Sequence, residues 1–113
     1  MLVAAAQLVA PFCDAVELNC GCPQRCAKQG GYGAFLMESP ELLESLVRAL
    51  AGRGGAGGGG VRRPDGTRVP VFVKVRVFAD EAATVALCLR VQAAGADALT
   101  VHGRTRHQVP SLV

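Results

Sequence analysis

The chain contains no tryptophan, one tyrosine and four phenylalanines. With so few rings it lacks the aromatic platforms on which proteins stack single-stranded bases. It has only two histidines, and neither lies near the cysteines at 20, 22 and 26. Those cysteines match no common zinc or iron–sulfur spacing, so no metal is expected. No apolar run is long enough to span a bilayer, so no membrane partner is expected. The apolar start from Met1 to Phe12 lacks a basic leader and meets Asp14 and Glu17 soon after, which reads as a helix. Five cysteines without a secretory signal fit free thiols in a reducing, intracellular and cytoplasmic setting.

Half of the 113 residues are hydrophobic, enough for a core and too many for a disordered chain. Twelve Lys and Arg against nine Asp and Glu give a net charge of +3, a mild bias that by itself does little to specify a polyanionic partner.

Along the chain, residues 2–12 form a helical pattern and residues 15–19 a short strand. A loop from Cys20 to Gly33 follows. Ser39 is placed to cap a second helix with Pro40 at its first position and Glu41 near its positive end. Leu42, Leu43, Leu46, Val47 and Leu50 make its apolar stripe. Residues 52–60 are glycine-rich and 62–68 basic, which together read as a flexible insertion at about 52–68. Its arginines Arg62, Arg63 and Arg68 are expected to be solvated. Pro70 to Val77, with four valines in eight residues, is the strongest strand signal. Asp80 caps a third helix that stops at Gly95, and residues 98–102 form the last strand. Alternating helix and strand argues for an α/β fold of parallel strands.

Side-chain parity sharpens this. Successive strand residues point to opposite faces. Val16 and Leu18 oppose Glu17 and Asn19; Val71, Val73 and Val75 oppose Phe72, Lys74 and Arg76; Leu99 and Val101 oppose Thr100 and His102. Each strand has one apolar face suited to helices and another that turns polar towards its C-terminal end. A doubly wound sheet is apolar on both faces, whereas a barrel has an interior that opens at a catalytic mouth. A single polar strand end often means only that the chain reaches solvent; three in succession favour a partial TIM (β/α)8 barrel.

The chemistry gathers at those ends. In Leu18-Asn19-Cys20-Gly21-Cys22-Pro23 an amide and a thiol follow a strand, on a turn shaped by Gly and Pro. Cys22 there suits a proton donor or a nucleophile, and for the first role its thiol must stay protonated. Lys74 can stabilise negative charge on a reduced flavin, and Arg76 or His102 can meet phosphate or polar cofactor edges. Singly, each has a plainer use: a strand lysine usually snorkels, a strand-end histidine is usually structural, and Cys13, Cys88, Cys20 and Cys26 suit small core hydrophobes.

At these residues the sequence resembles the tRNA-dihydrouridine synthases. Asn19-Cys20-Gly21-Cys22-Pro23-Gln24-Arg25, with Ala27-Lys28 and Gly31-Tyr32-Gly33-Ala34-Phe35-Leu36, is similar to the family signature. Val73-Lys74-Val75-Arg76 and Leu99-Thr100-Val101-His102-Gly103-Arg104-Thr105 resemble the next two motifs, in order. The Gln-Arg and Tyr-Gly-Ala-Phe-Leu details are most similar to the eukaryotic branch acting on positions 16 and 17 of the D-loop. The resemblance implies an FMN-dependent oxidoreductase that uses NADPH to reduce uridine in tRNA to 5,6-dihydrouridine, on a TIM barrel with a separate helical tRNA-binding domain. It implies Cys22 as proton donor, Lys74, His102 and Asn19 at the flavin, and Arg25, Lys28 and Arg104 towards tRNA.

Against that pattern the chain begins after a third strand and stops after a sixth. It is therefore expected to be a fragment, residues 1–113, of an FMN-binding catalytic domain, and the isolated fragment is expected to be inactive. Two other functions compete. Another FMN barrel such as a dihydroorotate dehydrogenase shares an Asn-x-x-Cys-Pro turn, though the Gln-Arg-x-Ala-Lys loop and the His-Gly-Arg-Thr strand end favour the RNA enzyme. A non-catalytic RNA-binding remnant would bind tRNA in a salt-dependent way without flavin.

Overall fold

The computed structural model describes residues 1–22, 25–53 and 59–108, and of residues 25–27 the backbone alone. Its elements are α1 (Leu2–Val9), running into a 3-10 turn (Ala10–Phe12); β1 (Val16–Cys20); α2 (Arg25–Gly30); a 3-10 segment (Gly33–Glu38); α3 (Pro40–Ala51); β2 (Val71–Arg76); α4 (Glu81–Ala94); and β3 (Ala98–His102). The strands form one parallel sheet in the order β1-β2-β3. The protein is thus an α/β unit of three parallel strands with flanking helices, as expected. No described helix is long and apolar enough to cross a membrane.

The register bears out the parity argument. Leu18, Val73 and Leu99 lie side by side, and Asn19, Lys74 and Thr100 form the next row. On the helix-facing side Cys20, Val73 and Val75 are fully buried with Leu43, Val47, Leu87 and Val91. Burying a side chain the size of Leu43 contributes about 2–3 kcal/mol, so this layer holds the sheet against α3 and α4. A second cluster joins Ala6 and Ala10 of the N-terminal segment to Leu50, Val61, Val69 and Val71. The apolar side is incomplete at β3, where Val101 is 49% exposed because no described helix covers that edge.

Several local expectations need correction. The stretch read as loop from Cys20 to Gly33 contains α2, and a 3-10 segment follows that buries Ala34, Leu36 and Met37. Tertiary burial orders it despite glycines that argue for a loop. Leu42 leaves the predicted α3 stripe and is 49% exposed, whereas Leu43, Val47 and Leu50 are buried. Ser39 occupies the N-cap of α3 without a capping side-chain bond; only its carbonyl accepts, from the Leu43 amide at 3.0 Å. Asp80 does cap α4, accepting from the Ala82 amide at 3.1 Å.

The glycine-rich insertion leaves and rejoins the fold at one place. A Cβ on Gly52 would fall 2.8 Å from the Gly59 carbonyl carbon, and one on Gly60 would fall 2.7 Å from the Gly52 nitrogen. Both residues have positive φ, so glycine is required there on two counts. Residues 54–58 lie outside the described residues. The basic part is folded rather than flexible. Arg62 and Arg68 form an antiparallel bridge, and Val61 and Val69 within this hairpin are fully buried.

Candidate functional site

Asn19, Lys74, Arg76 and His102 share the sheet face opposite the helices, at the C-terminal ends of the strands. Asn19 and Thr100 are exposed there, and Lys74, Arg76 and His102 half-buried. The face is open because the helices pack on the other side.

The turn after β1 is held at several points. The Gly21 amide donates to Asn19 Oδ1 at 2.8 Å. Arg76 Nε donates to the Gly21 carbonyl at 2.5 Å and Arg76 NH1 to the Thr105 carbonyl at 3.2 Å. The Ala34 amide donates to the Cys22 carbonyl at 2.8 Å. Gly21 is bare for a reason: a Cβ would fall 3.3 Å from Asn19 Oδ1 and 4.0 Å from Lys74 Cε. The missing side chain leaves room for the Asn19 amide oxygen that caps the turn. Cys22, half-buried and free, follows this pinned glycine directly.

Cys20 has the opposite environment. It is fully buried in the helix-side core, and burial pushes its thiol up to about 12. Such a thiol stays neutral and inert, as expected of a small core hydrophobe. Two cysteines two positions apart therefore lie in different environments, one fully buried and one half-buried. His102 is held below its ordinary value by desolvation first, then by the positive charges of Arg76, Arg104 and Lys74. Its imidazole is neutral at pH 7 within a cluster of cations. The donor set of one amide, one ammonium and one neutral imidazole suits the carbonyl-rich or anionic edge of a bound planar ring system.

The structure places the remaining predicted residues less centrally. Arg104 is half-buried beside His102, whereas Lys28 is exposed in the last turn of α2, on the loop beyond β1. The side chain of Arg25 lies outside the described residues. Arg76 spends two of its donors on backbone carbonyls, Nε on Gly21 and NH1 on Thr105. Parity indicates its face but not its partners. Arg106 is a residue that sequence reasoning missed. It lies over the Phe35 ring, 4.6 Å from the centroid, and pairs with Glu38, tying the loop after β3 to the 3-10 segment. No signal short of the folded structure relates those positions. Among the described residues no group of three His, Cys, Asp or Glu side chains is arranged to hold a metal.

The family model described as dihydrouridine synthase matches residues 1–111. The chain is 42% identical over 111 residues to a Mus musculus tRNA-dihydrouridine(20a/20b) synthase-like protein, covering 96% of this chain and 31% of the relative. It is 44% identical over 107 residues to a Saccharomyces cerevisiae tRNA-dihydrouridine(16/17) synthase, covering 95% of this chain and 22% of the relative. A Schizosaccharomyces pombe protein of the same name is 39% identical over 108 residues, covering 96% and 24%. The chain therefore spans a third or less of the length of these relatives, and its likeness is divided between enzymes named for different tRNA positions. A match over residues 1–111 means that this chain belongs to the dihydrouridine synthase family.

Proposed function

We propose that this chain forms three consecutive staves of a TIM-barrel reductase that converts uridine to 5,6-dihydrouridine in the D-loop of tRNA, with FMN and NADPH, in the cytoplasm. The observation that carries the reading is the gathering of Asn19, Lys74 and His102 on one sheet face, beside the pinned Gly21–Cys22 turn. FMN, when bound and reduced by NADPH, supplies hydride for C6 of the uracil. Lys74, whose ammonium makes no hydrogen bond among the described residues, balances negative charge at the ring edge. Neutral His102 and Asn19 supply directional hydrogen bonds without further charge. Cys22 gives its thiol proton to C5 of the base, is left as a thiolate and regains a proton from water. Arg25, Lys28 and Arg104 hold the RNA backbone by charge, with the target base turned out of its stack so that its edge is reachable.

A chimera tests this. Residues 1–108 replace the matching segment of the Saccharomyces cerevisiae relative, and dihydrouridine is measured in tRNA from cells lacking their own enzyme. Restored dihydrouridine, lost again with Cys22→Ala, is the expected result. A folded chimera that makes none, with salt-dependent tRNA binding by the chain itself and no retained flavin, would favour the RNA-binding remnant instead.

A further inference from the structure

We propose that Arg76 is a positioning residue, a strap over two carbonyls that fixes the Gly21–Cys22 peptide and couples the loop after β1 to the loop after β3. The claim rests on the proposed reductase only in treating Cys22 as the proton donor.

Three peptide groups around Cys22 have partners: the Gly21 amide on Asn19, the Gly21 carbonyl on Arg76 and the Cys22 carbonyl on the Ala34 amide. Of those partners, Arg76 alone reaches the far loop as well, through the Thr105 carbonyl. Strand order makes this feasible. β2 lies between β1 and β3, so a residue ending β2 has both neighbouring loops within reach. The planar guanidinium presents several donors in a rigid fork and can serve two diverging carbonyls at once. A lysine ammonium, a point charge on a flexible stem, holds such a pair poorly. Both bonds are part-buried and charge-assisted, which strengthens them relative to neutral ones. The same guanidinium contributes to the positive field on His102, together with Arg104 and Lys74. Arg76 thus has two separable roles, one geometric and one electrostatic.

Arg76→Lys keeps the charge and loses the fork, and Arg76→Met loses both. Amide hydrogen exchange at Gly21 and Ala34, referenced to Val73 in the central strand, reads the strap. His102 titration by NMR reads the field. Exchange at Gly21 and Ala34 is expected to rise about tenfold in both variants, as for loss of one or two modest hydrogen bonds. The His102 pKa is expected to stay depressed in Arg76→Lys and to move up in Arg76→Met. Exchange unchanged against Val73 in Arg76→Lys overturns the proposal, and that variant carries the test alone if Arg76→Met does not fold. In the chimera, reduced turnover with unchanged FMN affinity supports the strap, whereas lost FMN affinity with unchanged exchange makes Arg76 a cofactor ligand and overturns it. Because exchange is read on the chain itself, an inactive chimera would count against the reductase and leave the strap standing.

Discussion

The two ends of the sheet are both rich in arginine and use it in opposite ways. At the N-terminal end Arg62, Arg63 and Arg68 are all occupied. Arg62 donates to the Gly59 and Gly66 carbonyls, and Arg63 to the Asp14 carbonyl at 2.8 Å. Arg68 grips Asp97 with both terminal nitrogens, at 2.9 and 2.5 Å. Asp97 also accepts from the Val71 amide at 2.8 Å, locking the starts of β2 and β3 together. At the C-terminal end Lys74 and Arg104 donate no hydrogen bond to any described residue, and Arg76 binds carbonyls, which leave its charge unneutralised. At the N-terminal end the Arg68–Asp97 ion pair and the carbonyl contacts of Arg62 and Arg63 make a clamp. At the other end Lys74, Arg76 and Arg104 have no carboxylate partner among the described residues, which suits an anion there. In parallel α/β folds chemistry belongs at the second of these ends and stability at the first.

The sharpest way to separate the ends is to compare Cys22→Ala with Asp97→Ala. Cys22→Ala in the chimera is expected to slow dihydrouridine formation by about 10²–10⁴-fold, the range for losing a general acid, with the urea midpoint of the chain unmoved. Asp97→Ala is expected to cost about 2 kcal/mol in urea unfolding at pH 7, as for a charged acceptor removed from bonded donors, while leaving the His102 titration as it was. Arg68 holds the Asp97 carboxyl below its ordinary value of 3.8. Asp97 therefore contributes in full above that value, and its contribution is lost as pH falls through the lower folded-state value. Wild type and Asp97→Ala should accordingly converge in stability in strong acid. If their difference persists there, the carboxylate is not what locks the strands.

Gly95 sharpens the stability end further. It has a φ of +118°, and a Cβ would fall 2.8 Å from the Ala51 Cβ and 3.0 Å from Arg53 Cδ. Gly95→Ala should cost about 1–3 kcal/mol by thermal or urea unfolding. Next come the two caps: Asp80→Ala should lose about 1 kcal/mol and Ser39→Ala only a few tenths, because only Asp80 makes the capping bond. The smallest effect belongs to the mouth. Lys74→Met should raise the His102 pKa towards its ordinary 6.5, read by NMR titration. The depressed value means that folding disfavours the imidazolium. His102 therefore destabilises the chain as pH falls from about 6.5 into the range below, and Lys74→Met should reduce that loss. A value that moves down instead would mean that Lys74 does not face the imidazole.

The relation of sequence to structure divides along the same lines. Strand parity needs only the alternation of a pleated chain, so the faces holding Asn19, Lys74 and His102 were legible from the alternation within each of the three strands. The Asp80 cap and the stop at Gly95 are local too, each decided within a turn. The 3-10 segment was not legible, because burial of Ala34, Leu36 and Met37 against distant residues orders it. Nor was the hairpin at 61–69: the sequence there is basic, and its arginines find partners at Asp14 and Asp97, 49 and 29 positions away.

Short-range patterning, then, determined the strands, their polar face, the glycine turn after β1 and the candidacy of Cys22, since each depends on neighbours within a few residues. Tertiary structure alone decided which cations are neutralised and which two carbonyls Arg76 holds, and it supplied the burial that makes the Cys20 thiol inert. Those outcomes depend on desolvation and on hydrogen-bond partners that the chain meets only once β1, β2 and β3 lie side by side.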